Sequence, residues 1–269
     1  MNAEAVVAEL AQKARKASRS LSTATGAERK GALEAIAQAV ESRSAEILAA
    51  NEKDMAAGRA ANLNSSLLDR LLLTPERIKG IAGGARQVSQ LPDPLGVTLR
   101  KSTLPNGIEL QQISVPFGVI GMVFEARPNV TVDAAVILLM SGNAALLRGS
   151  SSASHSNEIL VRVMRDALAT TSISPDVIQL VPSEDRETVK ALLNARGKVD
   201  LVIPRGSAAL IRMVVMNQLF QQLRQVPVFA MFTSMSLQIL QRLCQSFSTQ
   251  RSSVLACVML QKQFYFTLL

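Results

Sequence analysis

From Gly118 onward the chain alternates short apolar runs with amphipathic segments, and that rhythm leaves few folds open. Residues 119–124, 144–147, 177–181 and 201–203 read as strands. Helical patterns lie between them near residues 132–140, 156–169 and 187–195, and another helix is expected to start after Gly206. Short apolar strands separated by helices pair in parallel through crossovers. The predicted class is therefore α/β, a doubly wound parallel sheet with ligands at the carboxyl ends of its strands. The longest apolar stretch, 130–147, carries Asp133 and is broken by Ser141-Gly142-Asn143. It reads as a buried helix and a buried strand, with no run apolar enough to span a bilayer.

The preceding region is helical. Residues 3–21, 27–40 and 45–57 place apolar side chains at three- and four-residue intervals in an Ala/Glu/Lys/Leu-rich composition. The first of these is read as an amphipathic helix of the fold, not as a signal or transit peptide. Thr74-Pro75-Glu76 is a helix start, a capping hydroxyl followed by proline, and the helix should run toward Gln90 with Gly83-Gly84 as a weak point. Pro92 and Pro94 stop it. Residues 97–104 and 108–115 then form a hairpin through Pro105-Asn106-Gly107. A two-stranded arm leaves its edges open, and a subunit contact is one natural use. The expected division is a helical region over residues 1–95, an arm over 96–115 for oligomerisation, an α/β unit over 116–215, and a tail over 216–269.

Charge and cysteine content exclude some classes of function. The net charge is +8, but every acidic residue precedes position 217, and the last four cations, Arg224, Arg242, Arg251 and Lys262, stand in a stretch without acids. No basic cluster is interleaved with aromatics, which argues against nucleic acid. Cys244 and Cys257 are the two cysteines, a number that fits a reducing, cytoplasmic compartment better than a disulfide framework.

No GxGxxG follows any strand. The strand ends instead carry Glu125-Ala126-Arg127-Pro128-Asn129, then Arg148-Gly149-Ser150-Ser151-Ser152, then Pro204-Arg205-Gly206-Ser207. The serines are natural helix caps and either arginine could be a solvated charge. Taken together, two arginines and several helix N-termini on one sheet edge suit an anionic dinucleotide. His155, the single histidine, is expected in the first turn of a helix without a catalytic duty. No metal site is indicated.

The run VPFGVIGMVFEARPNVTVDAAVILLMSGNAALLRGSSSASHSN, residues 115–157, resembles the signature region of gamma-glutamyl phosphate reductases. The segment KVDLVIPRGSAALIRMVV, residues 198–215, is similar to a second segment of that family. The resemblance implies an aldehyde dehydrogenase-like, Rossmann-like fold. It also implies NADPH-dependent reduction of L-glutamyl 5-phosphate to L-glutamate 5-semialdehyde in proline biosynthesis. A cysteine thiolate would form a thioester, which takes hydride from NADPH. Asn129 would be the amide donor for the carbonyl oxygen. Arg148, Gly149, Ser150, Ser151, Pro204, Arg205, Gly206 and Ser207 would hold NADP, with Arg148 beside the adenosine ribose or its phosphate. At Gly206-Ser207 the family more often has two glycines. Family members are expected to be homo-oligomers, and association with glutamate 5-kinase is a further implied partner.

The resemblance stops near Met216. The final 53 residues contain no Gly, Asp or Glu, hold six of the eight Phe and the sole Tyr265, and lack the family's RPSVCNA motif. Codons for Asn217 to Ser236 can be chosen so that the neighbouring frame reads ESTVPAIETGAGICHVYVDES, and codons for Ser253 to Phe266 can likewise conceal RPSVCNAAET. The tail is thus read as out-of-frame translation, Cys257 as an inert thiol, and the chain as inactive. The alternative is a non-catalytic NADP-binding or subunit-interacting fragment.

Overall fold

A computed structural model describes residues 2–214 and 262–268. The first helices are α1 (Ala3–Leu21), α2 (Gly26–Ser42) and α3 (Ser44–Ala60), followed by α4 (Ser65–Leu71) and α5 (Pro75–Ser89). Most of these starts have a local cause. Asn2 caps α1, and Thr25 with Glu28 forms a reciprocal capping box on α2. The Thr74 side chain accepts from Arg77 N at the start of α5, where proline occupies the first turn. Gly83-Gly84 does not interrupt α5. Packing of α5 against α2 and α6 outweighs the intrinsic cost of two glycines. The short helix α4 is an element that sequence patterning leaves out.

The hairpin consists of β1 (Thr98–Thr103) and β2 (Glu109–Val115), antiparallel. Gly107 adopts φ +87°, which supplies the turn, and its N–H donates to Leu104 O at 2.9 Å. The second edge of β2 pairs with β7 (Lys262–Leu268), antiparallel from Glu109↔Leu268 to Val115↔Lys262. The arm therefore finds its partner within the same chain, in a tail that the sequence gives no reason to expect ordered. An open strand edge is a template for pairing, and the aromatic and β-branched composition of 264–267 suits one. The remaining tail readings, including that of Cys257, lie outside the described residues.

The second sheet comprises β3 (Val119–Phe124), β4 (Ala144–Arg148), β5 (Ile178–Leu180) and β6 (Leu201–Arg205), in the order β5-β4-β3-β6. All three pairings are parallel, as expected. Helices α6 (Asn129–Met140) and α7 (Ser154–Leu168) pack together against β3 to β5, while α1 packs on the same strands with α8 (Glu187–Asn194). Beyond α6 and α7 lies a further helical layer of α2, α3 and α5. Nearly all of α6 is buried, which is why its sequence is apolar all round. The chain runs outward through β3, β4 and β5, then returns to the far side of β3 as β6. That reversal opens a crevice at the carboxyl ends of β3 and β6. Residues 208–214 begin the helix expected after Gly206.

Candidate functional site

The crevice is built from three strand ends. Register pairs Val123 with Arg148 and Phe124 with Arg205, so the three segments singled out in the sequence share one edge. Because β4 and β6 flank β3 on opposite sides, their backbones are separated by two strand spacings, roughly 10 Å. The two arginines accordingly serve different surroundings.

After β3 the chain turns sharply, with Arg127 N–H donating to Glu125 O at 2.7 Å. Asn129 then opens α6, and its Nδ2 donates to Asp133 Oδ2 one turn later at 3.2 Å. An amide nitrogen has two protons, so one remains for a ligand. Burial raises the Asp133 carboxyl above the usual aspartate range, opposed by the Arg205 charge and the Asn129 hydrogen bond. The Glu125 carboxylate accepts from Ser207 N at 2.8 Å. That backbone bond and the Ser207 hydroxyl hold Glu125 below its ordinary value. A side chain at Gly206 would displace the Glu125 carboxylate from its bond to Ser207 N.

Asn129, Asp133, Arg127 and Arg205 line a cavity of about 570 Å³ with Arg70 of α4. A neighbouring cavity of about 430 Å³ shares Arg70, Arg127 and Arg205 and extends to Glu125, Gly206 and Ser207. Burial lowers the Arg205 guanidinium, Asp133 opposes that shift, and Arg127 adds to it. Its buried Nη1 has no hydrogen-bond partner among the described residues.

Arg148 points elsewhere. Its Nη2 reaches Ser183 O at 3.3 Å and Asp185 O at 3.4 Å in the β5–α8 loop, and its buried Nε lacks a partner among the described residues. Burial lowers this guanidinium too, with Glu184 working in the opposite direction. Gly149 is needed by contact: a Cβ there would meet the Asn157 amide and the Phe124 ring. Asn157 is itself fixed by a 2.7 Å bond from Thr131 Oγ1. Ser150 caps the short turn Ser151–Ala153, accepting from Ser152 N at 3.4 Å, and Ser151 is exposed. Pro204 lies within β6 opposite Val123.

His155 stands in the first turn of α7, as expected, with Nδ1 2.8 Å from Asp54 Oδ1. Two contributors escape the sequence reading. Arg70 sits on α4, whose cap Asn64 and Leu67, Leu68 and Leu71 spacing were the available signal. The Asp133 carboxylate lies one turn after Asn129, a spacing that could have paired them.

A sequence model described as the aldehyde dehydrogenase family matches residues 1–228. Gamma-glutamyl phosphate reductases of Thermobifida fusca and Geobacillus thermodenitrificans are 51% and 53% identical over 209 residues, 78% of this chain and 50% of each relative. The chain thus spans about half the length of the curated relatives it matches. The crystal structure of gamma-glutamyl phosphate reductase from Thermotoga maritima superposes with a TM-score of 0.76 at 37% identity, covering 78% of this chain and 51% of that one. A benzaldehyde dehydrogenase from Corynebacterium glutamicum shares the fold at 20% identity, with a TM-score of 0.65, covering 79% and 42% of the two chains. This chain belongs to the aldehyde dehydrogenase family, and within it is similar to gamma-glutamyl phosphate reductases.

Proposed function

We propose that this chain carries the cofactor-binding half of an NADPH-dependent reductase that converts L-glutamyl 5-phosphate to L-glutamate 5-semialdehyde and phosphate in proline biosynthesis. The observation that carries this reading is the identity above 50% with gamma-glutamyl phosphate reductases over the whole crevice-bearing region. The local chemistry fits. Asn129 keeps an amide proton free to stabilise negative charge on a carbonyl oxygen. Asp133 positions that amide, and Arg205 beside Asp133 favours its ionised form.

A dinucleotide fits along the sheet edge, from the end of β4 to the end of β6. The half-buried Arg148 has an Nε without a partner among the described residues and a guanidinium suited to a phosphate monoester, and Gly149 follows it at the strand end. NADPH, when bound, supplies hydride. Ser150, Ser151, Pro204, Gly206 and Ser207 complete the cofactor contacts in this reading. The nucleophile must come from a cysteine, and the family motif that would carry it is missing from this frame. The chain as given therefore binds and does not turn over.

An intact relative would act in the cytoplasm as a homo-oligomer, associated with glutamate 5-kinase. Among the described residues no helix is long and apolar enough to cross a membrane. The competing reading, a non-catalytic NADP-binding or subunit-interacting fragment, draws support from the β2–β7 pairing, in which the arm accepts a strand.

Fluorescence titration of the full chain with NADPH and NADH tests the cofactor assignment. Arg148→Gln should weaken NADPH by about 1.5–3 kcal/mol, the loss of one charge-assisted contact, and NADH by much less. Equal losses for the two cofactors would remove Arg148 from recognition of the 2′-phosphate.

A further inference from the structure

Three arginines converge on the crevice beside Asn129, with Arg70 acting on the Glu125 carboxylate and Arg205 on that of Asp133 only through their charge. Arg70 from α4, Arg127 from the β3–α6 turn and Arg205 from the end of β6 line both cavities. Among the described residues none of their side chains makes a hydrogen bond or an ion pair. Arg77, which borders the larger cavity, is different: it is bound to Asp69 at 2.7 Å and to the carbonyls of Asp69 and Leu72. Two carboxylates face the three free guanidiniums. Glu125 is engaged by Ser207, and Asp133 is engaged by Asn129. The cavity keeps a positive excess, with Arg127 and Arg205 close enough to repel each other. Like charges gathered in one cavity are stabilised by an anion that bridges them.

We propose that Arg70, Arg127 and Arg205 form the seat for the phosphate of the acyl-phosphate substrate, so that of the two arginines at the strand ends Arg205 serves the substrate and Arg148 the dinucleotide. This inference rests on the acyl-phosphate reading above and deepens it. The choice of phosphate follows from bond connectivity. In an acyl phosphate a single bridging oxygen separates the carbonyl carbon from phosphorus. A group that recognises the carbonyl oxygen and groups that recognise the phosphate must therefore border one cavity, and Asn129 borders the cavity that the three arginines share. The distant α-carboxylate of the substrate carries no such constraint. Planar guanidiniums bind phosphate oxygens in pairs, which suits a dianion held from three sides. The seat also gives the leaving phosphate a place to accumulate charge as the acyl–oxygen bond breaks.

The test is calorimetric titration of the full chain with a β-ketophosphonate isostere of L-glutamyl 5-phosphate, in which a methylene replaces the bridging oxygen, and separately with NADPH. Arg70→Gln, Arg127→Gln and Arg205→Gln should each weaken the phosphonate about ten-fold or more, the expected effect of one charge-assisted contact, while NADPH affinity stays within about two-fold. Arg148→Gln should give the reverse pattern. Arg70 is exposed on a short helix, so its variant keeps the test decisive if a change at half-buried Arg205 disturbs folding. Unchanged phosphonate affinity in Arg70→Gln and Arg127→Gln overturns the proposal, as does an Arg205→Gln chain whose NADPH binding falls as far as its phosphonate binding. A wild-type chain that binds NADPH but not the phosphonate sinks the seat and leaves the cofactor reading standing. A chain that binds neither sinks both.

Discussion

Asp54 shows how much of this fold depends on single buried polar groups. Its carboxylate is 2% exposed and accepts from Ser156 N at 2.8 Å, Ser156 Oγ at 2.6 Å and His155 N at 3.2 Å. Helix α7 has no cap of its own, because Ala153 precedes it. Its first-turn donors are instead satisfied from α3, across about a hundred residues of chain. Asn51, one turn earlier on α3, donates to Leu71 O and Ser156 Oγ, and accepts from Leu73 N. Asp54→Ala should therefore cost about 3 kcal/mol in urea unfolding, since it strands several charge-assisted donors in a buried site. Asp54→Asn, which retains one acceptor oxygen, should lose less. A cost near that of an ordinary surface substitution would show that water replaces the carboxylate and that α7 needs no cap from α3. Neither Asp54 nor Asn51 was legible as a site in the sequence, because their partners are set by packing of distant helices. Gly149 was legible as a member of a motif, but the Asn157 and Phe124 contacts that require it were not.

At the scale of elements, local signals predict most starts and stops. The four parallel strands, the hairpin and four of the five opening helices lie within a few residues of where patterning puts them. The short helix α4 escapes because one turn of apolar spacing carries little periodic signal. In the sequence Arg148 and Arg205 read as one pair on one edge. Only the strand order separates them, since residue spacing contains no information about which strands flank β3. The capping box of α2 lends itself to a pH experiment. Glu28 accepts from Thr25 N at 2.7 Å and Thr25 Oγ1 at 2.8 Å, with Ser172 Oγ at 3.1 Å. These bonds, the Thr25 backbone first, hold Glu28 below the usual glutamate value. A depressed folded value means that the native state favours the carboxylate. Its stabilisation is complete above the ordinary glutamate range and is lost as pH falls through the depressed value. Amide protection factors in the first turn of α2 should therefore drop on acidification, and in Glu28→Gln they should start low and stay flat. Parallel pH profiles in the two proteins would mean that the box contributes nothing.

At the scale of the whole molecule the chain joins two kinds of sequence. Residues 1–228 match the aldehyde dehydrogenase family, an end that lies past the boundary expected near Met216, and the matched relatives run to about twice the length that is covered. The last 53 residues lack Gly, Asp and Glu, a composition unlike that of an ordinary α/β enzyme. The proposed reaction would need a thiolate beside the nicotinamide, yet Cys257 stands in Val254-Leu255-Ala256-Cys257-Val258, with neither the Asn nor the Glu-Thr of RPSVCNAAET around it. The strand that the tail does contribute, β7, adds to the arm and not to the crevice. We propose that one base lost near codon 216 underlies these features, because the neighbouring frame of the same stretch can encode the family's sequence in two separate places. Restoring that base should return the VCNA motif, a longer reading frame and oxidation of NADPH by L-glutamyl 5-phosphate together, whereas the chain as given should show no turnover. The restored enzyme should then lose activity when the cysteine of VCNA is replaced by serine. Two results would defeat this account: turnover by the present chain that Cys257→Ser abolishes, or a gene whose alternate frame does not encode VCNA.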